Sequence, residues 1–574
     1  MKKEIIRRAS ECHSELDPDL HPLLRKIYSA RGVKSAHELE RSLSGLLPWQ
    51  SLKGIHAAVH LLADALKSEK KILIVGDFDA DGATGTAVAV RALKMLGAKH
   101  VGYLVPNRFS YGYGLTPGLV EEAKSLIPDV IVTVDNGIAS HEGVLAAKAA
   151  GMQVVITDHH LPAGTLPEAD AIVNPNQPDD AFPSKNIAGV GVIFYVMLAL
   201  RSYLRDENYF QKCGFSEPKL SQLLDLVALG TVADVVPLDH NNRILVHQGL
   251  NRIRRGQCIP GISALLQAGG RTHERLQASD LGFVVAPRLN AAGRLDDMSL
   301  GIECLLSDVT EVASGMAVIL NDLNLERRAI EQDMQQQALV AIEKLRGLDE
   351  QKLPLGLCLF EPDWHQGVIG IVAGRIKDRL HRPVIAFARA DKNSLKGSAR
   401  SVQGLHIRDI LADISAKSPG LIEKFGGHAM AAGLSLAEEA FRSFAALFDQ
   451  AVRDRVDERD LQSVIVSDGS LAPADHTLAV ADMLRAGGPW GQAFPEPLFD
   501  GTFDLLEQRI VGMKHLKMTL GCEGQVIPAI AFNIDARMWP NHRCNKIHAA
   551  YRMDVNEYRG KSSVQLMVEY LEPV

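Results

Sequence analysis

The sequence contains few cysteines, few aromatic residues and no long uncharged apolar stretch. Its seven cysteines lie far apart and form no Cys-x-x-Cys pair, which argues against a disulfide framework and against a thiolate zinc site. No apolar run reaches the roughly 18 residues of a membrane span, and the basic N-terminus lacks the apolar core of a signal peptide. The sequence therefore predicts a protein of a reducing cytoplasm that is neither exported nor inserted into a membrane.

An excess of one charge sign is also absent, because 62 basic and 69 acidic residues leave a formal net charge of -7. This balance does not indicate a nucleic-acid-binding protein, although a sum over the whole chain does not exclude a local basic groove. With 574 residues the chain is too long for one hydrophobic core, so we expect three or four folded units.

Short, continuously apolar stretches alternate with alanine-rich segments from about residue 71 to residue 236. This alternation is typical of βαβ units, and strands that are apolar throughout are typical of a parallel sheet covered by helices on both faces. Three of these strands are followed directly by acidic motifs: GDFDADG, DNG and DHH. Since ligands bind beyond the carboxyl ends of the strands in such sheets, we expect the three motifs to meet there.

The rest of the chain shows three further patterns. Residues 307–345 lack proline and predict one long helix, which at 1.5 Å per residue would extend about 50 Å and connect two bodies with a cleft between them. A second α/β unit follows, with glycine-rich loops expected at LKGSARSVQGLH and KFGGHAMAAGLS. The final stretch of short strands separated by turns predicts a small β-barrel.

Three aspartates, Asp77, Asp79 and Asp81, occupy every second position after the strand KILIV. Carboxylates this close repel one another, and burial would cost each of them its hydration, so a positive partner is expected. An EF-hand is excluded because loop position 12 is Val88 and a strand precedes the loop. The spacing of the glycines also excludes the common nucleotide-binding loops. An exposed polar turn remains as the alternative.

Three more motifs carry groups of the same chemistry. Asp135 follows a strand in VDNG, Asp158, His159 and His160 are consecutive in TDHH, and Asp234 is the charged residue of an apolar run. Each motif alone also has a simple structural explanation, such as a turn. Together they offer oxygen and imidazole donors without thiols, a set that suits Mn²⁺ or Mg²⁺ better than structural zinc. Two such ions about 3.5–4 Å apart would neutralise the carboxylates, activate water and clamp a phosphoryl group.

The motifs DFDADG, VDNG, TDHH and GTVADVVPL resemble the four motifs of the DHH phosphoesterase superfamily, and FGGHAMAAG resembles the glycine–histidine motif of its accessory DHHA1 domain. The extra motif NAAGRLDD, the long helix and the terminal barrel make the chain most similar to the bacterial exonucleases of this superfamily that are specific for single-stranded DNA. The resemblance covers nearly the whole chain and implies an α/β fold. It implies five segments: an N-terminal helical segment (1–50), a DHH-type parallel-sheet catalytic domain of two subdomains (51–306), a connector helix (307–347), a DHHA1 α/β domain (348–455) and a C-terminal OB-fold β-barrel (456–574).

The resemblance also implies two divalent ions held by six side chains: Asp77, Asp79, Asp81, Asp135, His159 and Asp234. Asp77 and Asp79 would join Asp135 on one ion, the remaining ligands would hold the other, and Asp135 would bridge the two. His160 would contact the scissile phosphate or the leaving group, and Asp158 would orient its neighbours. How ligation and support divide between Asp77 and Asp79 stays open.

Six residues outside this centre are predicted to contact DNA: Arg108, Arg294, Ser398, Arg400, Gly427 and His428. The guanidinium groups of Arg108 and Arg294 suit phosphate, although an ordinary surface arginine is an equal alternative. Ser398 and Arg400 lie in an expected glycine-flanked loop suited to a terminal 5′ phosphate, with a flexible hairpin tip as the alternative. For Gly427 and His428 the resemblance implies a position facing DNA, and a tight turn is the alternative.

The resulting prediction is a metal-dependent exonuclease that digests single-stranded DNA from its 5′ end in DNA repair and recombination. The expected partners are single-stranded DNA, a helicase and a single-strand-binding protein, and a monomer is compatible with the sequence. Two other functions stay open: a DHH phosphoesterase acting on short oligonucleotides or small phosphate substrates, and a non-catalytic replication scaffold. The terminal barrel and the long helix disfavour the first, because a small substrate requires neither. The complete set of ligand positions disfavours the second.

Overall fold

The computed structural model describes the chain except for residues 1–2, 10–15, 108–111, 163, 349–352, 392, 457–460, 462, 536–537 and 559, and except for the side chains of residues 344–348 and 558. The chain divides into two compact units. The smaller unit comprises Met1–Glu4 and Asp322–Ile465, and the larger comprises Ile5–Asn321 and Val466–Val574. The larger unit therefore contains the acidic motifs and the terminal barrel.

The N-terminal segment is only partly helical, in contrast to the helical segment expected over residues 1–50. Its described residues form a short strand, β1 (Glu4–Arg7), one helix, α1 (Pro22–Ser29), and three single 3₁₀ turns before residue 52. Proline limits helix length here, because it is accepted only in the first turn of a helix. Pro22 accordingly begins α1, and Pro48 directly precedes the third turn.

A five-stranded parallel sheet lies at the centre of the larger unit. In the order β3-β2-β4-β5-β6, it consists of β2 (Ile72–Gly76), β3 (Val101–Leu104), β4 (Val130–Val134), β5 (Gln153–Thr157) and β6 (Ala171–Val173). Strands β2 and β4 are buried along their whole length, as their continuously apolar sequences require. The strands predicted between residues 71 and 236 and the predicted α/β fold class are confirmed.

Helices connect and cover the strands of this sheet and continue beyond it. They are α2 (Ile55–Lys67), α3 (Ala80–Met95), α4 (Pro117–Lys124), α5 (His141–Ala149), α6 (Gly189–Asp206), α7 (Tyr209–Cys213), α8 (Leu224–Ala233), α9 (His240–Arg254), α10 (Pro260–Ala268), α11 (Ala278–Asp280), α12 (Ala286–Leu295) and α13 (Ser299–Leu306). A π-helical turn, Leu281–Val285, precedes α12.

Gly230 allows α8 to approach α3 closely. A Cβ atom at this position would collide with the Thr84 hydroxyl and lie 2.8 Å from the Asp81 carboxylate. Only glycine fits such an approach. The close packing brings the end of α8, where Asp234 caps the helix, next to the aspartate-rich loop after β2.

One helix of 39 residues, α14 (Thr310–Leu348), begins in the larger unit and continues in the smaller one. It confirms the long helix predicted over residues 307–345. The sequence permits this length because the helix contains no proline and because its two glycines, Gly315 and Gly347, lie in the second turn and at the C-terminal end.

A second five-stranded sheet forms the smaller unit. In the order β10-β11-β9-β8-β7, its strands are β7 (Leu357–Phe360), β8 (Val384–Asp391), β9 (Ser394–Arg400), β10 (Lys424–Gly427) and β11 (Ala431–Ala437). Its helices are α15 (Ile369–Leu380), α16 (Ile407–Lys417) and α17 (Phe441–Arg453). The buried rings of Phe387, Phe444 and Phe448 lie in its core.

The glycine-rich loop predicted at LKGSARSVQGLH is wrong over its first half, because this stretch forms β9, the middle strand of the sheet. The odd-numbered residues from 395 to 399 are buried and the even-numbered ones are more exposed, which is the alternation of a strand. Gly397 is one of the buried residues, and it has to be glycine because a Cβ atom there would lie 2.5 Å from the Phe387 ring. The second predicted loop is likewise mostly strand, since KFGG forms β10 and AAGLS opens β11.

The C-terminal residues form a closed five-stranded barrel, as the sequence predicts. It follows β12 (Val464–Ser467) and α18 (Leu478–Ala486), and its strands run in the order β13-β14-β15-β17-β16. They are β13 (Phe499–Val511), β14 (His515–Cys522), β15 (Gln525–Ala531), β16 (Lys546–Tyr558) and β17 (Lys561–Pro573). Among the described residues, no helix has both the length and the apolar character that crossing a membrane requires.

Candidate metal centre

The acidic motifs converge beyond the carboxyl ends of β2, β4 and β5, as the sequence predicts. Asp77 follows β2, Asp135 follows β4, and the Asp-His-His run follows β5. Three groups of donor atoms each lie within 4.8 Å of one another: Asp77, Asp79 and Asp135; Asp81, His159 and Asp234; and Asp135, His159 and His160. The structure therefore gathers every predicted metal ligand in one place.

Backbone amides hold two of these carboxylates. One oxygen of Asp79 accepts hydrogen bonds from the amides of Asp81 (2.9 Å) and Gly82 (3.0 Å) and so caps α3. The two oxygens of Asp81 accept from the first amides of α6, at Gly189 (2.7 Å) and Val190 (3.0 Å). Two helix N-termini thus fix the loop after β2.

Asp135 lies at the middle of the centre in a strained conformation. Its φ of 63° is in the left-handed region, which residues other than glycine seldom adopt. Its amide donates to Thr157 O (3.1 Å), and its carbonyl accepts from the Tyr113 hydroxyl (3.0 Å). Its Oδ1 is buried and accepts no hydrogen bond from the described residues, although His159 Nε2 lies 3.1 Å away. This arrangement suits a ligand that faces metal.

Asp158 makes contacts of a different kind. One oxygen accepts from the Ile138 amide (2.9 Å), and the other accepts from the amides of His159 (2.7 Å) and His160 (3.1 Å) and lies 2.8 Å from His160 Nδ1. Its carboxylate is therefore engaged by protein donors and orients His160. Because a proton on Nδ1 is needed for the last bond, Nε2 is the nitrogen left to contact substrate.

The crowded carboxylates shift each other's protonation. Burial, followed by the charges of Asp81 and Asp79, raises the pKa of Asp135 well above its usual range, and the same causes raise the pKa of Asp234. Burial and the charge of Asp79 raise the pKa of Asp81 to about 7, against the stabilising amides of α6. Carboxylates in such a site are stable as anions only beside cations, and the oxygen and imidazole donors fit divalent ions such as Mn²⁺ and Mg²⁺.

Asp158 and His160 favour each other's charged forms, in contrast to the aspartates around them. Burial disfavours the charged form of His160, but the hydrogen bond and the charge of Asp158 raise its pKa to about 9. Burial alone would raise the pKa of Asp158, and its bond to His160 holds it below the usual value instead. The pair can therefore present a proton donor to an anionic substrate.

Sequence reasoning missed several side chains that hold this centre. Asn174 donates to the carbonyl of His160 (2.9 Å) and Asn176 to that of His159 (2.6 Å). Both follow β6 in the run NPN, so the strand-end argument used for the aspartates would have found them. Tyr113 lies in a loop without periodicity, and its sequence carries no comparable signal.

Helix α12 packs on the aspartate-rich loop and carries Arg294. Asn290 of this helix accepts a hydrogen bond from the Ala80 amide at the start of α3 (2.8 Å). A Cβ atom at Gly293 would collide with the carbonyl of Phe78, so α12 directly touches the loop. Arg294 is thereby placed beside the centre, whereas Arg108 lies outside the described residues.

The other predicted DNA-contacting residues lie in the smaller unit, and the structure brings them together. Arg400 Nη1 donates to Ser398 Oγ (3.3 Å), and burial lowers the pKa of this arginine. A Cβ atom at Gly370 would lie 2.9 Å from Ser398 Oγ and 3.0 Å from Arg400 Nη2. The first turn of α15 therefore packs directly against the pair.

Gly427 and His428 join this group through strand pairing. Gly427 ends β10 with a φ of 139°, and the amide of His428 donates to Ala431 O (2.8 Å). Ala431 is in turn the β11 partner of Arg400. The hairpin between β10 and β11 thus lies at the same end of the sheet as Arg400.

Comparisons with known proteins cover most of the chain. Three family models match it: the DHH family, N-terminal domain, at residues 71–231, the DHHA1 domain at 353–454 and the RecJ OB domain at 467–570. Across 100% of both chains it is 54% identical to the single-stranded-DNA-specific exonuclease RecJ of Salmonella typhimurium and 53% identical to that of Escherichia coli.

Solved structures agree with these matches. The crystal structure of RecJ in complex with Mn²⁺ from Thermus thermophilus has a TM-score of 0.79 at 30% identity and covers 96% of this chain and 76% of its own. The complex of the same protein with Mg²⁺ has a TM-score of 0.73 at 28% identity and covers 96% of this chain and 75% of its own.

Proposed function

The chain belongs to the RecJ family of single-stranded-DNA-specific exonucleases, and we propose that it removes nucleotides from the 5′ end of single-stranded DNA by hydrolysing phosphodiester bonds, in DNA repair and recombination. One observation carries this proposal: five aspartates and a histidine gather beyond the ends of three strands, with His160 oriented beside them. That donor set serves phosphoryl chemistry.

The proposed ligands of one ion are Asp77, Asp79 and Asp135, and those of the other are Asp81, Asp135, His159 and Asp234. Mn²⁺ or Mg²⁺ at these positions supplies the Lewis acidity that activates water and stabilises charge on the phosphate. Asp135 is the proposed shared ligand because it groups with Asp77 and Asp79 and, separately, with His159, a proposed ligand of the other ion. The amides that cap Asp79 and Asp81 orient these carboxylates.

His160 contacts the scissile phosphate or the leaving oxygen through Nε2. The carboxylate of Asp158 keeps the proton on Nδ1 and fixes the plane of the ring. Asn174 holds the backbone of His160 in addition. Hydrogen bonds that are oriented before substrate arrives stabilise developing charge without a cost in reorganisation.

Two groups of residues bind the DNA backbone in this proposal. Arg108 and Arg294 clamp phosphates, as guanidinium groups do. Ser398 and Arg400, with the Gly427–His428 hairpin, receive the 5′-terminal phosphate. The supporting observation is the N-terminus of α15 beside this pair, since helix N-termini and guanidinium groups both attract phosphate.

The barrel supplies a surface for the single strand. Phe532 is 50% exposed, and its ring lies 4.8 Å from that of His515, while Lys514 and Lys517 flank His515 in the sequence. Exposed rings and basic side chains on such barrels bind single strands by stacking and charge. We further propose that the protein works as a monomer in the cytoplasm, on strands delivered by a helicase and a single-strand-binding protein.

A time course on end-labelled single strands of both polarities, with and without Mn²⁺, tests the activity. We expect metal-dependent release of nucleotides from the 5′ end, and faster cleavage of a dinucleotide than of a long 5′-phosphorylated strand would instead support a small-substrate phosphoesterase. D135A should lose nearly all turnover, whereas a scaffold would be unaffected. S398A and R400A should weaken the preference for 5′-phosphorylated ends without changing Mn²⁺ binding.

A further inference from the structure

We propose that Tyr113 is a positioning residue for this reaction, because its hydroxyl joins the bridging ligand Asp135 to His160. This inference rests on the proposed function. Tyr113 lies outside all of the sequence motifs, in the stretch between β3 and α4.

One hydroxyl makes both contacts. Tyr113 donates its proton to the carbonyl of Asp135 (3.0 Å), and its oxygen lies 3.2 Å from Nδ1 of His160. A phenolic oxygen that donates its one proton still has lone pairs to accept another. It therefore shares the Nδ1 proton of His160 with Asp158, which lies 2.8 Å from the same nitrogen. Both partners engage Nδ1 and so leave Nε2 for substrate.

The conformation of Asp135 explains why its carbonyl needs a partner. A φ of 63° at a residue other than glycine is strained and persists only when the surroundings hold it. Thr157 holds the amide side of Asp135, and Tyr113 holds the carbonyl side. A ligand shared by two ions tolerates little displacement, so this second anchor acts on both proposed metal sites.

The ring of Tyr113 keeps the hydroxyl in place. It lies edge to face with Phe78 at 6.2 Å and with His160 at 5.8 Å, and 46% of the residue is still exposed. Edge-to-face contacts of this length stabilise ring orientation. The ring is thus wedged between the loop after β2 and the Asp-His-His run, while the hydroxyl points inward.

Y113F in the full-length protein tests the hydroxyl alone. We expect kcat on single-stranded DNA to fall about tenfold while KM stays within about twofold, since the hydroxyl positions catalytic groups instead of binding DNA. We also expect Mn²⁺ to bind severalfold more weakly to the metal-free variant, as measured by electron paramagnetic resonance of free Mn²⁺ without substrate.

Y103F is the matched control, because Tyr103 on β3 donates a hydrogen bond to Glu303 (2.6 Å), which is no part of the centre. It should change neither kcat nor Mn²⁺ affinity. An unchanged kcat in Y113F, a raised KM alone, or a lower melting temperature with normal kcat would each overturn the proposal. If the wild-type protein itself fails to degrade single strands, the proposed function fails, and the Mn²⁺ titration still decides whether Tyr113 positions Asp135.

Discussion

Asp158 is fully buried and accepts hydrogen bonds from Ile138, His159 and His160, which distinguishes it from the aspartates around it. Its neighbours raise one another's pKa values, whereas Asp158 keeps a low one. A carboxylate with its oxygens occupied in this way orients a histidine and leaves metal binding to others.

We predict that D158N lowers kcat by roughly 10²-fold or more and leaves Mn²⁺ affinity nearly unchanged. A neutral amide lacks the charge of the carboxylate that raises the pKa of His160, so the ring holds its proton less strongly and is a poorer proton donor to substrate. Single-turnover kinetics and a Mn²⁺ titration measure the two effects. D170N is the control, because Asp170 accepts from the Val154 amide between neighbouring strands of the sheet. A large loss of Mn²⁺ affinity in D158N would show that Asp158 is itself a ligand.

The sequence identified the residues of the centre because they lie in short runs that follow a strand, or, for Asp234, at the end of a helix. Parallel strands bring such positions to one edge whatever their separation along the chain. Tyr113 was not predicted, because it lies in an irregular loop, where no periodic sequence pattern indicates the position of a side chain. The orientation of the His160 ring also depends on distances that no motif states.

At the scale of elements, packing between helices decides whether the centre forms. Gly230 lets α8 lie against α3, and Gly189 at the start of α6 leaves room for the Cβ of Asp135, from which a Cβ atom at 189 would be 2.6 Å away. The centre therefore depends on two glycines that have no side chain to offer as a ligand.

We predict that G230A destabilises the larger unit by roughly 1–3 kcal/mol and weakens Mn²⁺ binding, because the added methyl pushes α8 and Asp234 away from Asp81. Denaturant unfolding and Mn²⁺ titration measure the two effects. G315A on α14 is the control, since nothing lies within 4 Å of a Cβ atom there and alanine is the better helix former. It should be neutral or stabilising by up to about 1 kcal/mol. Equal effects of both substitutions would refute the packing argument.

His247 on α9 gives the larger unit a dependence on pH. Burial, followed by the charges of Arg41 and Arg254, lowers its pKa to about 4. The unfolded chain takes up this proton near pH 6.5, so stability is complete above that value and is lost as the pH falls from about 6.5 to 4. We predict a loss of roughly 1–2 kcal/mol across this window after allowing for solvent screening. H247Q should remove this part of the loss, as measured by urea unfolding at pH 7, 5.5 and 4.5.

Strand β9 shows where local patterns mislead. Its glycine and its two serines favour a loop by composition, yet its alternating burial belongs to a strand in the middle of a sheet. Tertiary packing overrides such preferences because a glycine opposite a large ring, as Gly397 is opposite Phe387, is the residue that fits. The long helix α14 was predictable because 39 residues without proline leave few alternatives.

At the scale of the whole molecule, an ion pair ties the N-terminal segment to the residues that precede the barrel. Arg31 of that segment is fully buried and forms two hydrogen bonds with Asp468, at 2.9 and 3.0 Å. It also donates to the carbonyl of Pro495 (2.7 Å) and lies over the ring of Trp490. Residues more than 400 positions apart thereby belong to one unit.

We predict that R31A destabilises this unit by about 3–5 kcal/mol, because it leaves Asp468 buried without its main partner. Thermal unfolding and the rate at which a protease cuts the barrel measure this loss. R25A in the preceding helix α1 is the control, since the Arg25 side chain donates to the nearby carbonyls of Pro18 and Leu20. Similar effects of the two substitutions would show that the pair contributes little.

The order of catalytic core, long helix, second α/β unit and barrel was predictable, because each change of sequence pattern marks a change of architecture. The sequence did not predict that the N-terminal segment and the barrel belong to the same unit. It depends on contacts such as that of Arg31 with Asp468, and single long-range pairs leave no period or composition in the sequence.

Backbone amides at two helix N-termini already secure Asp79 and Asp81. Removal of the metal ions with a chelator should therefore abolish activity without unfolding the protein. The metal-free protein would keep its circular dichroism spectrum and would degrade DNA again once Mn²⁺ is added. Because these backbone contacts do not involve the ions, the return of Mn²⁺ should restore activity without any refolding of the chain.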